Sequence, residues 1–154
     1  MKETLEIKPL EGFGKLKFGA TQQEVEDIFG KPQETESIEV EDEINEVLVW
    51  SYWEQGHAIY FEEDLKGVCT NIETDNEEAT LFGEHIFKMK EEDIVALMKT
   101  NGFGFFEIED DDDMEERILF FNDAHLQFVF EQEQLVLVSW AVAMDDNENI
   151  LWPK

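Results

Sequence analysis

Cys69 is the single cysteine of the chain, set mid-strand in the alternating run Gly67-Val68-Cys69-Thr70-Asn71-Ile72. A nucleophilic thiolate needs positive charge nearby to lower its pKa. Here 39 Asp and Glu stand against 11 Lys and Arg, so Cys69 reads as a buried core residue. Ser37, Ser51 and Ser139 sit in strand patterns without the Gly-x-Ser-x-Gly elbow that exposes a nucleophilic serine. Gly12-Phe13-Gly14 and Gly102-Phe103-Gly104 lack the further glycine and the lysine of a phosphate loop, and read as turns into strands.

His57 and His125 each follow a hairpin turn, but neither belongs to the His-x-x-x-His or Cys-x-x-Cys spacing that zinc sites use, and His85 is alone. The acidic run from Glu109 to Glu116 contains Asp110, Asp111, Asp112 and Asp113. An EF-hand loop begun at Asp110 would need a glycine at its sixth position, where Glu115 stands. The run reads as a solvated hairpin tip. No catalytic residue, metal or cofactor is expected, and the chain reads as non-enzymatic.

The formal charge is -28, and thirteen Phe and four Trp accompany it. An acidic disordered tail would be poor in aromatics, so a folded body is expected. Phosphate recognition needs clustered Lys and Arg, which excludes nucleic acid as a partner, and anionic membranes with it. The N-terminal residues hold no apolar run of signal-peptide length, no stretch is apolar for long enough to span a bilayer, and one cysteine cannot form an internal disulfide. These features point to the cytoplasm.

The residues that could bind a partner must be held by elements the pattern marks out. Residues 15–29 and 84–98 align at a spacing of 69, with Phe18 on Phe87, Val25 on Ile94 and Ile28 on Leu97. The segments around His57 and His125 match at nearly the same offset. The reading is a tandem duplication, 1–76 and 77–154, forming one compact unit. Each copy gives a short strand (Gly14–Phe18; His85–Phe87), a helix, and four strands. The first helix starts at Thr21 with Glu24 three residues on, a capping box, and stops at Gly30-Lys31-Pro32; the second runs from about Lys90 to Thr100. Strands are expected at 34–40, 46–53, 57–62 and 67–73, then at 103–109, 116–122, 125–131 and 134–144. The fold class is α+β: two helix-plus-strand repeats making a meandering antiparallel sheet with the helices on one face.

Phe18-Gly19-Ala20-Thr21 followed by Phe29-Gly30-Lys31-Pro32 resembles the recurring signature of the β-lactamase inhibitory protein and the related SmpA/OmlA lipoproteins. In the second copy Lys88 and Lys90 replace Gly19 and Thr21. The resemblance implies tandem helix-and-sheet topology and, by analogy, binding through an aromatic sheet face. It carries no functional residue over.

Strands with one wet face should alternate apolar and polar residues. Val47-Leu48-Val49-Trp50-Ser51-Tyr52-Trp53, Ile118-Leu119-Phe120-Phe121 and Leu135-Val136-Leu137-Val138-Ser139-Trp140 are apolar on both faces. Two helices cover only one face, so the other is a binding face or a homodimer face. Trp50, Tyr52, Tyr60 and Trp140 are the expected aromatic anchors, with Asp110 to Asp113 as the acidic rim. The function expected is a cytoplasmic immunity-type inhibitor of a basic toxin such as a nuclease, the acid steering encounter with a basic protein partner. The alternatives are a nucleic-acid mimic that blocks a DNA-binding protein, and an intracellular protein whose charge serves solubility.

Overall fold

The computed structural model describes residues 5–39, 46–62, 67–111, 115–144 and 150–152. The strand-forming runs, rich in β-branched and aromatic residues save in the two acidic edge strands, give β4 (Glu34–Glu39), β5 (Glu46–Tyr52), β6 (His57–Glu62) and β7 (Val68–Thr74). They also give β9 (Glu107–Asp111), β10 (Glu116–Phe121), β11 (Leu126–Glu131) and β12 (Gln134–Ala141). These eight form one antiparallel sheet in the order β4-β5-β6-β7-β12-β11-β10-β9. Hairpins link successive strands within each set of four, and the join between the sets is β7 against β12, where Ile72 faces Trp140.

A second sheet is built from very short strands: β1 (Glu6–Lys8), β2 (Gly12–Phe13), β3 (Leu16–Lys17) and β8 (Thr80–Leu81), in the order β3-β2-β1-β8. β1 and β8 run parallel, Ile7 beside Leu81, so residues far apart in the chain share this sheet. Gly12 is required by close approach: a Cβ there would lie 1.9 Å from the Leu16 carbonyl oxygen. β13 (Ala143–Met144) and β14 (Ile150–Leu151) form a small separate hairpin.

Helix α1 (Gln22–Phe29) begins with the expected capping box. The Glu24 amide donates to Thr21 Oγ1 at 3.2 Å and the Thr21 amide donates to Glu24 Oε1 at 3.3 Å, which satisfies two otherwise orphaned N–H groups. Helix α2 (Glu91–Thr100) carries three acidic residues in its first turn, where the helix dipole favours them.

The expected α+β class, with two tandem helix-plus-strand repeats and helices covering one face, is overturned. The fold is mostly β. The two helices have only eight and ten residues, too short to roof an eight-stranded sheet. The small sheet supplies the rest of the covering layer. Local details differ for the same reason. Residues expected as a strand at His85–Phe87 form a 3-10 turn, Ile86–Lys88, and Gly14–Phe18 contributes only Leu16–Lys17 as strand.

The core lies between this mixed layer and one face of the large sheet. Tyr52, Ile59, Phe61, Ile72, Trp140, Leu126, Phe128, Leu119 and Phe121 are fully or almost fully buried on the sheet side. Phe13 of β2 meets them edge-on, 5.3 Å from the Trp140 ring and 4.9 Å from His57. The Trp140 indole N–H donates to the Gly12 carbonyl at 2.8 Å, pinning the small sheet onto the large one. At the other end of the molecule Arg117 on β10 ties α2 to β9, donating to Glu91 at 2.6 Å and to Asp110 at 3.2 Å.

Candidate functional site

The opposite face of the large sheet is the candidate site. Side chains alternate across a strand, so with Tyr52, Ile59, Phe61 and Phe128 inward, their neighbours Ser51, Ala58, Tyr60 and Gln127 point away from the core. Backbone pairing carries one row of such residues across all eight strands. It runs Glu34, Ser51, Ala58, Glu73, Ser139, Gln127, Phe120, Glu107. At the usual strand spacing this row is about 34 Å long. Carboxylates stand at both ends and one stands at the middle.

The flanking rows complete the surface. Glu36, Val49, Tyr60, Asn71 and Ala141 lie on one side of the first row. Glu109, Ile118, Val129 and Leu137 lie on the other, over the β9 half. Val49 and Val129 are themselves buried, so the accessible centre is made by Ile118, Leu137, Tyr60, Phe120 and amides, and the rim is acidic. Among the described residues of these strands, this face holds no lysine or arginine; the one arginine, Arg117, belongs to the covered side. Rim groups are held in place: the Trp53 indole N–H donates to Glu34 Oε2 at 3.0 Å, and the Asn122 amide donates to Glu107 Oε1 at 3.1 Å.

Glu73 is the unusual member. Tyr60 donates its hydroxyl to Glu73 Oε1 at 3.0 Å. Burial raises the Glu73 carboxyl above its ordinary range, although the Tyr60 hydrogen bond opposes the shift. The Tyr60 phenol is pushed up to about 12 by burial first, then by the charges of Glu73 and Glu36. Beside this pair lies a shallow depression of about 180 Å³, lined by Asn71, Phe120, His125, Gln127, Ser139, Trp140 and Ala141. His125 reaches it from a left-handed backbone position, φ 50°, just before β11.

The residues singled out from sequence separate into three groups. Trp50, Tyr52 and Trp140 are core side chains: Trp50 packs on Phe61 with ring centroids 5.0 Å apart, and the Tyr52 hydroxyl donates to the Gly30 carbonyl at 2.9 Å. Their burial removes them as accessible anchors. Tyr60 lies on the open face, half-buried. Asp110 sits on β9 and pairs with Arg117 toward the covered side, Asp111 ends that strand, and Asp112 and Asp113 lie outside the described residues. Sequence reasoning missed Glu73, Phe120, Gln127 and Asn71. Phe120 was visible as an apolar residue of a doubly apolar strand; Glu73 was one carboxylate among 39.

Cys69 and His57 are core residues. Burial pushes the Cys69 thiol up to about 12, so it is inert as a nucleophile near neutral pH. His57 Nδ1 lies in hydrogen-bond contact with Thr74 Oγ1 at 2.8 Å, while the Thr74 hydroxyl donates to the Gly56 carbonyl at 3.2 Å; the ring sits between those of Phe13 and Phe29, and burial lowers its pKa to about 4. His57 and His125 thus differ, the first inside the core and the second at the open face. Among the described residues no three His, Cys, Asp or Glu side chains gather to hold a metal ion, and no helix is long and apolar enough to cross a membrane.

No protein-family model matches the chain, and no curated protein matches it. Among solved structures it is similar to an extracellular protein containing a SCP domain from Bacillus anthracis str. Ames, known from a 1.5 Å crystal structure. The two share 16% identity over 89% of this chain, with a TM-score of 0.50. The chain spans 49% of that protein's length. At this identity the likeness is one of fold alone.

Proposed function

We propose that the chain is a non-enzymatic binding module whose open sheet face takes a basic protein, in the manner of an immunity-type inhibitor that neutralises a cationic toxin such as a nuclease in the cytoplasm. The observation that carries this reading is the eight-strand row with Glu34 and Glu107 at its ends and Glu73 at its centre. An apolar and amide centre inside an acidic rim matches the general anatomy of protein interfaces, a packed core ringed by polar groups. Its charge selects the sign of the partner. A second copy of this chain would set acid against acid, which favours a different protein over a homodimer. A phosphate mimic has no need of Ile118, Leu137 and Phe120 between its carboxylates.

The test compares two charge-matched variants. One removes open-face acid (Glu34→Gln, Glu36→Gln, Glu107→Gln, Glu109→Gln); the other removes acid elsewhere (Glu11→Gln, Glu84→Gln, Glu92→Gln, Asp93→Asn). Binding to a panel of basic and acidic proteins of similar size is measured at low and physiological salt. Only basic proteins bind on this reading, and only the open-face variant weakens them. Equal loss in both variants would mean that net charge alone acts.

A further inference from the structure

The depression beside Glu73 has a chemistry more specific than negative charge. Its walls include Asn71, Gln127, Ser139, Phe120, His125 and Trp140, and the Asn71 side-chain oxygen already accepts from the Ile72 amide at 3.1 Å. At about 180 Å³ it holds one side chain of a partner and not a whole ligand. Phe120 is 39% exposed although it sits inside a sheet, so a face of its ring is available for stacking. Ser139, at the edge of the depression, pairs directly with Glu73. The Glu73 Oε1 oxygen is occupied by Tyr60, and Oε2 accepts no hydrogen bond among the described residues.

We infer that this depression is the socket for one arginine side chain of the partner, stacked on Phe120, hydrogen-bonded by Gln127 and Ser139, and attracted by the Glu73 carboxyl on the strand next to Ser139. The inference rests on the proposed use of this face for a basic protein. A guanidinium is planar, carries five donors in a fixed fork, and is weakly hydrated, so it stacks on an aromatic ring while several acceptors bind its edge. The socket offers both: a ring on one wall and amide and hydroxyl groups on the others, with the Glu73 carboxyl outside the lining on the strand that pairs with Ser139. An ammonium is a compact, strongly hydrated charge that makes poor use of the ring and would leave some of these acceptors unmatched. Glu73 is held half-buried by Tyr60, where its attraction is screened less than that of the exposed rim.

The probes are hexa-arginine and hexa-lysine peptides of equal charge, titrated by calorimetry at pH 7.5 against wild type, Phe120→Ala, Glu73→Gln and the four-residue open-face variant. Phe120 is exposed and the glutamine is isosteric, and thermal unfolding of each variant verifies folding. Wild type binds the arginine peptide about tenfold more tightly than the lysine peptide, the range of a desolvated cation–π contact. Phe120→Ala and Glu73→Gln each bring the two peptides to within about twofold, while the open-face variant weakens both alike. Equal binding of the two peptides to wild type, with both weakened by the open-face variant, would overturn the socket and leave the face. An arginine preference that survives both single substitutions would also overturn it. Failure of either peptide to bind wild type would overturn the reading of the face itself.

Discussion

The Tyr60 hydroxyl and the Glu73 carboxylate meet at 3.0 Å across neighbouring strands β6 and β7, on the side of the large sheet turned away from the core. This pairing keeps a charge half-buried at the centre of the open face. It is an arrangement that stability alone would not select. The folded-state pKa of Glu73 is raised by burial, so the native state holds that proton more tightly than the unfolded chain. Stability associated with the protonated form is present at low pH and is lost as pH rises through the raised pKa. Glu73→Gln keeps the shape and the Tyr60 hydrogen bond without the charge. It is expected to raise the melting temperature by a few degrees at pH 7, with the gain vanishing below the ordinary glutamate range. The same substitution weakens cationic ligands. A variant no more stable than wild type at pH 7 would mean that Glu73 is not under strain.

His57 has the opposite sense of linkage. Its folded-state pKa is lowered from 6.5 to about 4 by burial among Phe13 and Phe29, so the unfolded chain binds the proton more readily. Its neutral form supports the fold above pH 6.5, and that support is lost as pH falls toward 4. The full shift corresponds to roughly 3 kcal/mol at 1.36 kcal/mol per unit. The difference in unfolding free energy between wild type and His57→Gln should therefore shrink by about that amount between pH 7 and pH 4. Comparing the two proteins cancels the easing of carboxylate repulsion common to both. A difference that stays flat would place the ring in a wetter setting than its 5% exposure indicates.

Trp140 joins the two sheets through its indole N–H to the Gly12 carbonyl. Trp140→Phe leaves that buried carbonyl without its donor and opens space beside Phe13. An unsatisfied buried acceptor alone costs about 1–3 kcal/mol, and urea unfolding should register at least that. Trp53 is 68% exposed, and Trp53→Phe should stay within about 0.5 kcal/mol of wild type. Equal effects from the two substitutions would contradict the docking of the small sheet.

Self-association is the remaining way to cover an apolar face. With a formal charge of -28 and acid on the rim of that face, like-charge repulsion should dominate at low salt. Sedimentation at low ionic strength is expected to give a monomer. A dimer there that Phe120→Glu dissociates would show the face closed by a second copy.

The strands of the large sheet were legible because alternation and hairpin turns leave a period-two pattern; each of the eight strands expected there overlaps an observed one, whereas the strand expected at His85–Phe87 is a 3-10 turn. The capping box at Thr21 and Glu24 was legible because it is a local hydrogen-bond exchange. The small sheet was not. Gly12–Phe13, Leu16–Lys17 and Thr80–Leu81 are too short to carry a period, and the parallel pairing of Ile7 with Leu81 is a long-range contact. Missing that layer led to the α+β reading. The pattern in Leu48–Trp53 also marked two faces without marking which one is covered. Trp50 and Tyr52 therefore read as anchors, while the opposite face fell to their neighbours Val49, itself buried, and Ser51.

The most direct test of the account is a backbone amide NMR titration of the labelled protein with the hexa-arginine peptide at physiological salt. The largest shifts are expected on Tyr60, Asn71, Glu73, Ser139, Gln127 and Phe120, on five inner strands of the sheet, with smaller ones at Glu34 and Glu107 on the edges. Shifts confined to residues 110–115 or to the first turn of α2 would contradict it, because the peptide would then be following the densest charge and not the open face of the sheet.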